Sequence, residues 1–223
     1  MLLSETNENA PDGEIIARVL AGNKESFEII VKRYDHYLYK VGSSYGYSHD
    51  DIEDLIQETF LQAYLHLGSF EGRASLKSWL IHIMLHQCYH GQRKMSSRME
   101  ILSSDLLENE DISPYEETAK DGEQIIENKE LHRVLHDAIF QIPEDYRMVF
   151  VLRIINGMNT IETAEVLHIS TENVKVRLNR ARKMLQDLIG MNYDVSDLFH
   201  LHPHHRESIA RRGMQAITAL SKN

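Results

Sequence analysis

Two helical patterns separated by a three-residue break constrain this chain more than any other feature. Residues 160–167 carry apolar positions at helical spacing, His168-Ile169-Ser170 interrupts them, and a longer pattern runs from Thr171 to about Ile189. A third helix is predicted upstream. Pro143 suits a first turn, where its missing N–H costs nothing, and the run EDYRMVFVLRIING stops at Asn156-Gly157. Thr160 is expected to cap the short helix, with Glu162 and Glu165 near its positive end, and Thr171 to cap the long one. In the long helix Val174, Leu178, Ala181 and Leu185 share one face, and Lys175, Val176, Asn179 and Arg180 lie opposite. A short helix, a tight turn and a longer basic helix make a helix-turn-helix, whose second helix enters the major groove. The four opposite-face residues are then placed to meet base edges, while Arg177, Arg182 and Lys183 reach phosphates. A solvated basic helix in an ordinary bundle is the competing reading.

Net charge at first argues against nucleic acid, since the 223 residues sum to −10 and phosphate neutralisation needs Lys and Arg. The distribution removes the conflict. Ten acids and two bases between Met95 and Asn128 give that stretch −8, leaving −2 elsewhere, whereas Thr171–Lys183 carries +4. An acidic linker and a basic helix are hidden in one total.

The remaining chain reads as helix as well. Only 11 glycines and 4 prolines are present, and the prolines avoid the periodic stretches. With 42% hydrophobic residues a packed core is expected, and the fold class is all-α. Four pieces follow: a helical bundle over 14–94, an acidic linker over 95–128, the helix-turn-helix domain over 129–190, and a histidine-rich extension over 191–223. The linker, treated as a flexible coil, spans about 30–35 Å on average, enough to help two domains reach DNA elements two helical turns apart.

Inside the first domain, Ile52, Leu55, Ile56, Phe60, Ala63, Tyr64 and Leu67 recur at three- and four-residue steps. With that stripe buried, Asp54, Gln57, Glu58 and Leu61 share the outer face. Two carboxylates around an amide and a leucine form an anionic docking face with an apolar centre. Further on, Gly72 permits a turn between Phe70 and Trp79, the one tryptophan, which is read as an anchor.

These residues carry a resemblance. N-V-K-V-R-L-N-R-A-R (173–182) is similar to the T-V-K-S-R-L-x-R-A-R signature of region 4 in extracytoplasmic-function (ECF) sigma factors, and I-P-E-D-Y-R (142–147) resembles that region's L-P-x-x-x-R entry. D-I-E-D-L-I-Q-E-T-F (51–60) resembles the D-A-E-D-L-V-Q-E-T-F core of region 2, and F-E-G-R-A-S-L-K-S-W-L (70–80) resembles F-x-G-x-x-x-F-x-x-W-L. The resemblance implies a transcription-initiation factor that binds core RNA polymerase through Asp54, Gln57, Glu58 and Leu61. It implies reading of the −35 element by Lys175, Val176, Asn179 and Arg180, with Val176 supplying an apolar contact where relatives have serine. The loop from Phe70, with Arg73, Ser75 and Lys77, would meet a base flipped from the −10 strand, and His86 and Arg93 would extend that surface. An anti-sigma protein is a further partner that the resemblance allows.

One stretch departs from the pattern. Where relatives tend to W-L-x-R-I-A-x-N-x-x-x-D-x-x-R, His82, His86 and His90 replace Arg, Asn and Asp, while Arg93 is kept. Three histidines at i, i+4 and i+8 with Cys88 nearby suggest a metal site. Cys88 projects to another face and the outer histidines stand about 12 Å apart along a helix, so no metal and no cofactor are expected. H-L-H-P-H-H (200–205) reads as incidental binding in a tail. A single cysteine excludes an internal disulfide, and with no signal peptide or membrane-length apolar run a cytoplasmic protein is expected. The runner-up is a sigma-mimic adaptor that captures an anti-sigma protein without initiating transcription. A metal-dependent enzyme ranks last, because no acid–base or nucleophile constellation supports one.

Overall fold

The computed structural model describes residues 9–102 and 137–189, with the side chains of 93–102 and of Ile189 outside the description. All regular structure among the described residues is helical. The elements are α1 (Asp12–Leu20), α2 (Phe27–Ser44), α3 (His49–His66), α4 (Leu76–Leu102), α5 (Glu144–Phe150), α6 (Thr160–Leu167) and α7 (Thr171–Ile189). Two compact units result, one built on α1 to α4 up to Cys88, the other holding α5 to α7.

Helix α2 forms the spine of the first unit. Its Phe27, Ile30, Val31, Leu38 and Val41 are buried, together with Ile52, Ile56, Phe60 and Ala63 of α3 and Leu80, Ile81 and Met84 of α4. Phe27 meets Phe60 edge-on at 6.3 Å and Tyr64 at 5.2 Å, a preferred aromatic geometry. Gly42 marks where three helices crowd: a Cβ there would sit 2.9 Å from Met84 Cε and 3.0 Å from Ile52 Cγ2. The unit begins before residue 14. Ala10 is buried, Arg33 bonds Asp12 and the Ala10 carbonyl, and Tyr34 donates to Asp12 at 2.5 Å, tying α1 onto α2. At the other end α4 continues to Leu102, past the expected domain edge at residue 94. The linker beyond Leu102 and the 191–223 extension lie outside the described residues.

The second unit closes around Ile139, Ile142, Val149, Phe150, Ala164, Val174, Leu178, Ala181 and Leu185. The four residues expected to bury one face of the long helix all do so. Residues 137–141 form a helical segment whose end is held by Arg147, which donates to the carbonyls of Phe140 (3.0 Å) and Ile142 (3.3 Å) and stacks its guanidinium 5.0 Å over the Phe140 ring. The arginine of the L-P-x-x-x-R pattern is thus a helix C-cap. Helix α5 runs on through Val151–Ile155 as a π-helical turn, closed by the Asn156 N–H on the Val151 carbonyl at 2.8 Å. Gly157 (φ +63°) then turns the chain, the stop expected at Asn156-Gly157.

Both caps expected from the sequence fall one residue earlier. Asn159, not Thr160, caps α6: its side chain accepts from the N–H groups of Ile161 and Glu162, and Glu162 returns a bond to the Asn159 N–H at 2.8 Å. A reciprocal box satisfies more orphan donors than a threonine alone. Likewise Ser170, not Thr171, caps α7, accepting from the Asn173 N–H at 3.2 Å. The turn between them is held by the Ile169 N–H on the Ala164 carbonyl at 3.0 Å, with His168 left-handed at φ 53°.

Candidate nucleic-acid interface

With Val174, Leu178, Ala181 and Leu185 buried, the 3.6-residue period forces the intervening side chains outward. Lys175, Val176, Asn179 and Arg180 are all exposed, as is Lys183. Val176 keeps 47% of its surface in solvent although it is apolar, which suits a contact still to be made. Two of the cations are already oriented by α5. Arg180 donates to the Tyr146 hydroxyl at 3.2 Å, and Arg177 pairs with Asp145 at 3.2 Å. Arg182 is half-buried, its Nε shielded and without a hydrogen-bond partner among the described residues. Of the three arginines and lysines assigned to phosphates, Lys183 is therefore the freest, Arg177 has an acid beside it, and Arg182 leans on the core. Tyr146 and Asp145 were not singled out from the sequence, because nothing in the spacing shows which α5 residues abut α7. The N-x-x-E spacing of Asn159 and Glu162 was a readable capping signal.

The second candidate surface lies in the other unit. Phe70 is half-buried with its ring 5.2 Å from Trp79, so the tryptophan anchors the loop as expected. Gly72 adopts φ +70° between them. Arg73 is exposed and pairs with Glu71. Ser75 turns out to cap α4: its Oγ accepts from the Ser78 N–H at 3.2 Å and lies 2.8 Å from the Ser78 hydroxyl. Lys77 is half-buried with its ammonium 5.0 Å over the Tyr37 ring, a cation–π contact. His82, His86, Tyr89 and His90 are exposed along α4, and the Arg93 side chain lies outside the described residues. Among the described residues no three His, Cys, Asp or Glu side chains are grouped to share a metal ion. Cys88 is buried away from the histidines and burial pushes its thiol pKa up to about 12, which keeps it unreactive.

The acidic face of α3 forms the third surface. Asp54 is exposed, while Gln57, Glu58 and Leu61 are half-buried. Gln62 donates to Glu58 at 2.8 Å and steadies that carboxylate. Asp50 and Asp51 occupy the first turn of α3, where negative charge opposes the positive helix end. No helix among the described residues is long and apolar enough to cross a membrane.

Comparison with known proteins matches two family models along the chain. The model of sigma-70 region 2 matches residues 30–98, and that of sigma-70, region 4 matches residues 132–185. The chain is 29% identical to an ECF RNA polymerase sigma-E factor of Haemophilus influenzae over 185 residues, covering 82% of this chain and 97% of the relative. It is 28% identical to the ECF RNA polymerase sigma-E factor of Escherichia coli K12, over 82% of this chain and 96% of the relative. The fold resembles that of CnrH in a complex with the cytosolic domain of CnrY (TM-score 0.57, 23% identity, 82% of this chain and 99% of that one). It also resembles the sigma factor RpoE of Bartonella quintana in complex with the anti-sigma factor NepR (TM-score 0.56, 24% identity, 70% of this chain and 94% of that one). With both region models matching in chain order and the curated relatives alike over nearly their whole length, the chain belongs to the ECF group of the sigma-70 family.

Proposed function

We propose that this protein is a sigma factor that joins core RNA polymerase and directs it to promoters, acting in the cytoplasm by binding alone and without catalysis of its own. One observation carries the reading: the buried face of α7 (Val174, Leu178, Ala181, Leu185) leaves Lys175, Val176, Asn179 and Arg180 together in solvent, as a major-groove helix requires. In this reading those four residues select the −35 element, and Arg177, Arg182 and Lys183 hold phosphates. Phe70, Arg73, Ser75, Lys77, His86 and Arg93 form the −10 surface. Within that surface Ser75 and Lys77 are assigned to shaping the loop and the start of α4, a division supported by the Ser75 cap and the Lys77–Tyr37 contact, and Arg73 to exchanging its ion pair with Glu71 for a phosphate.

Asp54, Gln57, Glu58 and Leu61 dock the polymerase, their carboxylates meeting cationic groups on its largest subunit. The domain limits at 14–94, 95–128, 129–190 and 191–223 remain part of the proposal, with α1 and the end of α4 extending the first. An anti-sigma protein is proposed as a regulatory partner, since the relatives CnrH and RpoE were each solved in such a complex or with a named partner domain. Run-off transcription from a genomic promoter library, with purified core polymerase and this protein, tests the function. Specific transcripts that vanish without the protein support it. Tight core binding with no transcript from any promoter would overturn it in favour of the mimic.

A further inference from the structure

Leu65 and Leu20 are large aliphatic side chains that each keep 57% of their surface in solvent. A lone exposed leucine needs no explanation. These two share a line with Leu61. At 100° per residue along α3, Leu65 projects between Leu61 and Glu58, on the same outward stripe as Asp54 and Gln57. The stripe from Asp54 to Leu65 is about 16 Å long. It does not stop where α3 ends. Gly68 follows Leu65 by three residues, in the Leu67–Ser69 turn, and a Cβ there would lie 3.8 Å from a Leu20 methyl. Helix α1 therefore delivers Leu20 against the Leu67–Ser69 turn, extending the aliphatic line of Leu61 and Leu65 onto a second element. Ala17, one turn before Leu20 in α1, is also exposed.

We infer that Leu65 and Leu20 are polymerase-docking residues, and that α1 forms one side of the docking surface. The inference rests on the reading of Asp54, Gln57, Glu58 and Leu61 as the docking face, and it deepens that reading. Carboxylates head the stripe and leucines end it. The matching partner surface is about 16 Å long, with cations at one end and an aliphatic strip at the other. Continuity with the acidic face selects core polymerase as the occupant. A second copy of this chain carries no cation on the corresponding stripe, so it would leave Asp54 and Glu58 without an opposite charge.

The test uses the full-length protein with Leu20→Gln and Leu65→Gln, singly and together, beside the pair Asp54→Lys/Glu58→Lys. Glutamine keeps helix propensity, and both sites are exposed, so melting temperature should hold. Each leucine variant should weaken core polymerase binding by about tenfold, the scale of one leucine's burial, with promoter-fragment binding by the free protein unchanged. A photo-cross-linking residue at position 20 should attach to the largest polymerase subunit. If both glutamine variants bind core like wild type while the charge reversal abolishes binding, the extension is overturned and the docking face stands. If the charge reversal also has no effect, the docking face itself fails and the extension with it. Cross-linking between copies of this chain, rather than to polymerase, overturns the choice of occupant.

Discussion

Helices α3 and α7 both bury one face and present the other, yet they present opposite chemistries in different states of readiness. On α3 the outer stripe is acidic with half-buried or exposed aliphatic groups among the carboxylates. On α7 it is basic, and two of its cations are held by α5, Arg180 by Tyr146 and Arg177 by Asp145. A protein partner repays aliphatic exposure, because desolvating leucine is favourable. DNA offers phosphates and base edges, so its reader gains more from cations whose geometry is set in advance. On the proposed reading, the contrast is between an acidic surface suited to burial and a basic one suited to alignment.

The largest expected effect breaks the acidic side of that comparison. Asp54→Lys with Glu58→Lys should weaken core polymerase binding by at least about 100-fold, in line with roughly 3 kcal/mol for reversing charges in a docked interface. Circular dichroism and melting temperature should be unchanged. Pull-down of core at wild-type strength would remove α3 from the docking role.

Packing in the same unit sets the next effect. Gly42→Val places a branched side chain against Met84 and Ile52 and should destabilise the unit by about 1–3 kcal/mol. Urea titration measures it; an unchanged midpoint would mean the three helices are not as close as their glycine contact indicates.

On the basic side, Arg180→Ala should cost about 1–3 kcal/mol on a preferred promoter and relax the choice at one −35 base pair. Tyr146→Phe should blur the same base pair less, by removing only the hydroxyl that holds Arg180. Lys183→Ala should weaken all promoters alike and lower the salt slope by about one unit. Equal, sequence-independent losses in all three would show that α7 grips the backbone without reading bases.

Smaller again is Asp145→Asn. It removes an exposed negative charge beside Arg177, and promoter-DNA affinity should rise by about threefold at low salt, the lost repulsion of phosphates outweighing the alignment given by a pair worth under about 1 kcal/mol. Fluorescence anisotropy at two salt concentrations checks this, and a loss of affinity would mean that Asp145 positions Arg177 for its phosphate. Last, His168→Gly relieves a left-handed non-glycine residue in the turn and should stabilise the second unit by about 0.5–1 kcal/mol. A lower melting temperature would show that the imidazole's own contacts outweigh the backbone strain.

The amino-acid order alone determined most of which residues face inward and outward on α3 and α7, although on α3 Leu55 and Tyr64 of the expected stripe are only half-buried and Glu53 and Thr59, outside it, are buried. A helix's period is local, so Ile52–Ile56–Phe60–Ala63 and Val174–Leu178–Ala181–Leu185 announce their buried sides without any knowledge of what covers them. It also determined the turn at His168–Ser170, the stop at Gly157 and the anchoring of Phe70 by Trp79. Its cap assignments slipped by one residue because Thr160 and Thr171 each follow a residue, Asn159 or Ser170, that is an equally good cap. Only the three-dimensional contacts separate the two.

Tertiary structure alone decided the rest. That Arg147 caps the segment before it, that Tyr146 and Asp145 hold two recognition-helix arginines, and that Leu20 lies beside Gly68 all depend on which helix lies against which. Such pairings join residues far apart in the chain or on different elements. Neither spacing nor propensity carries that information, because each is a property of one helix, while a contact is a property of two.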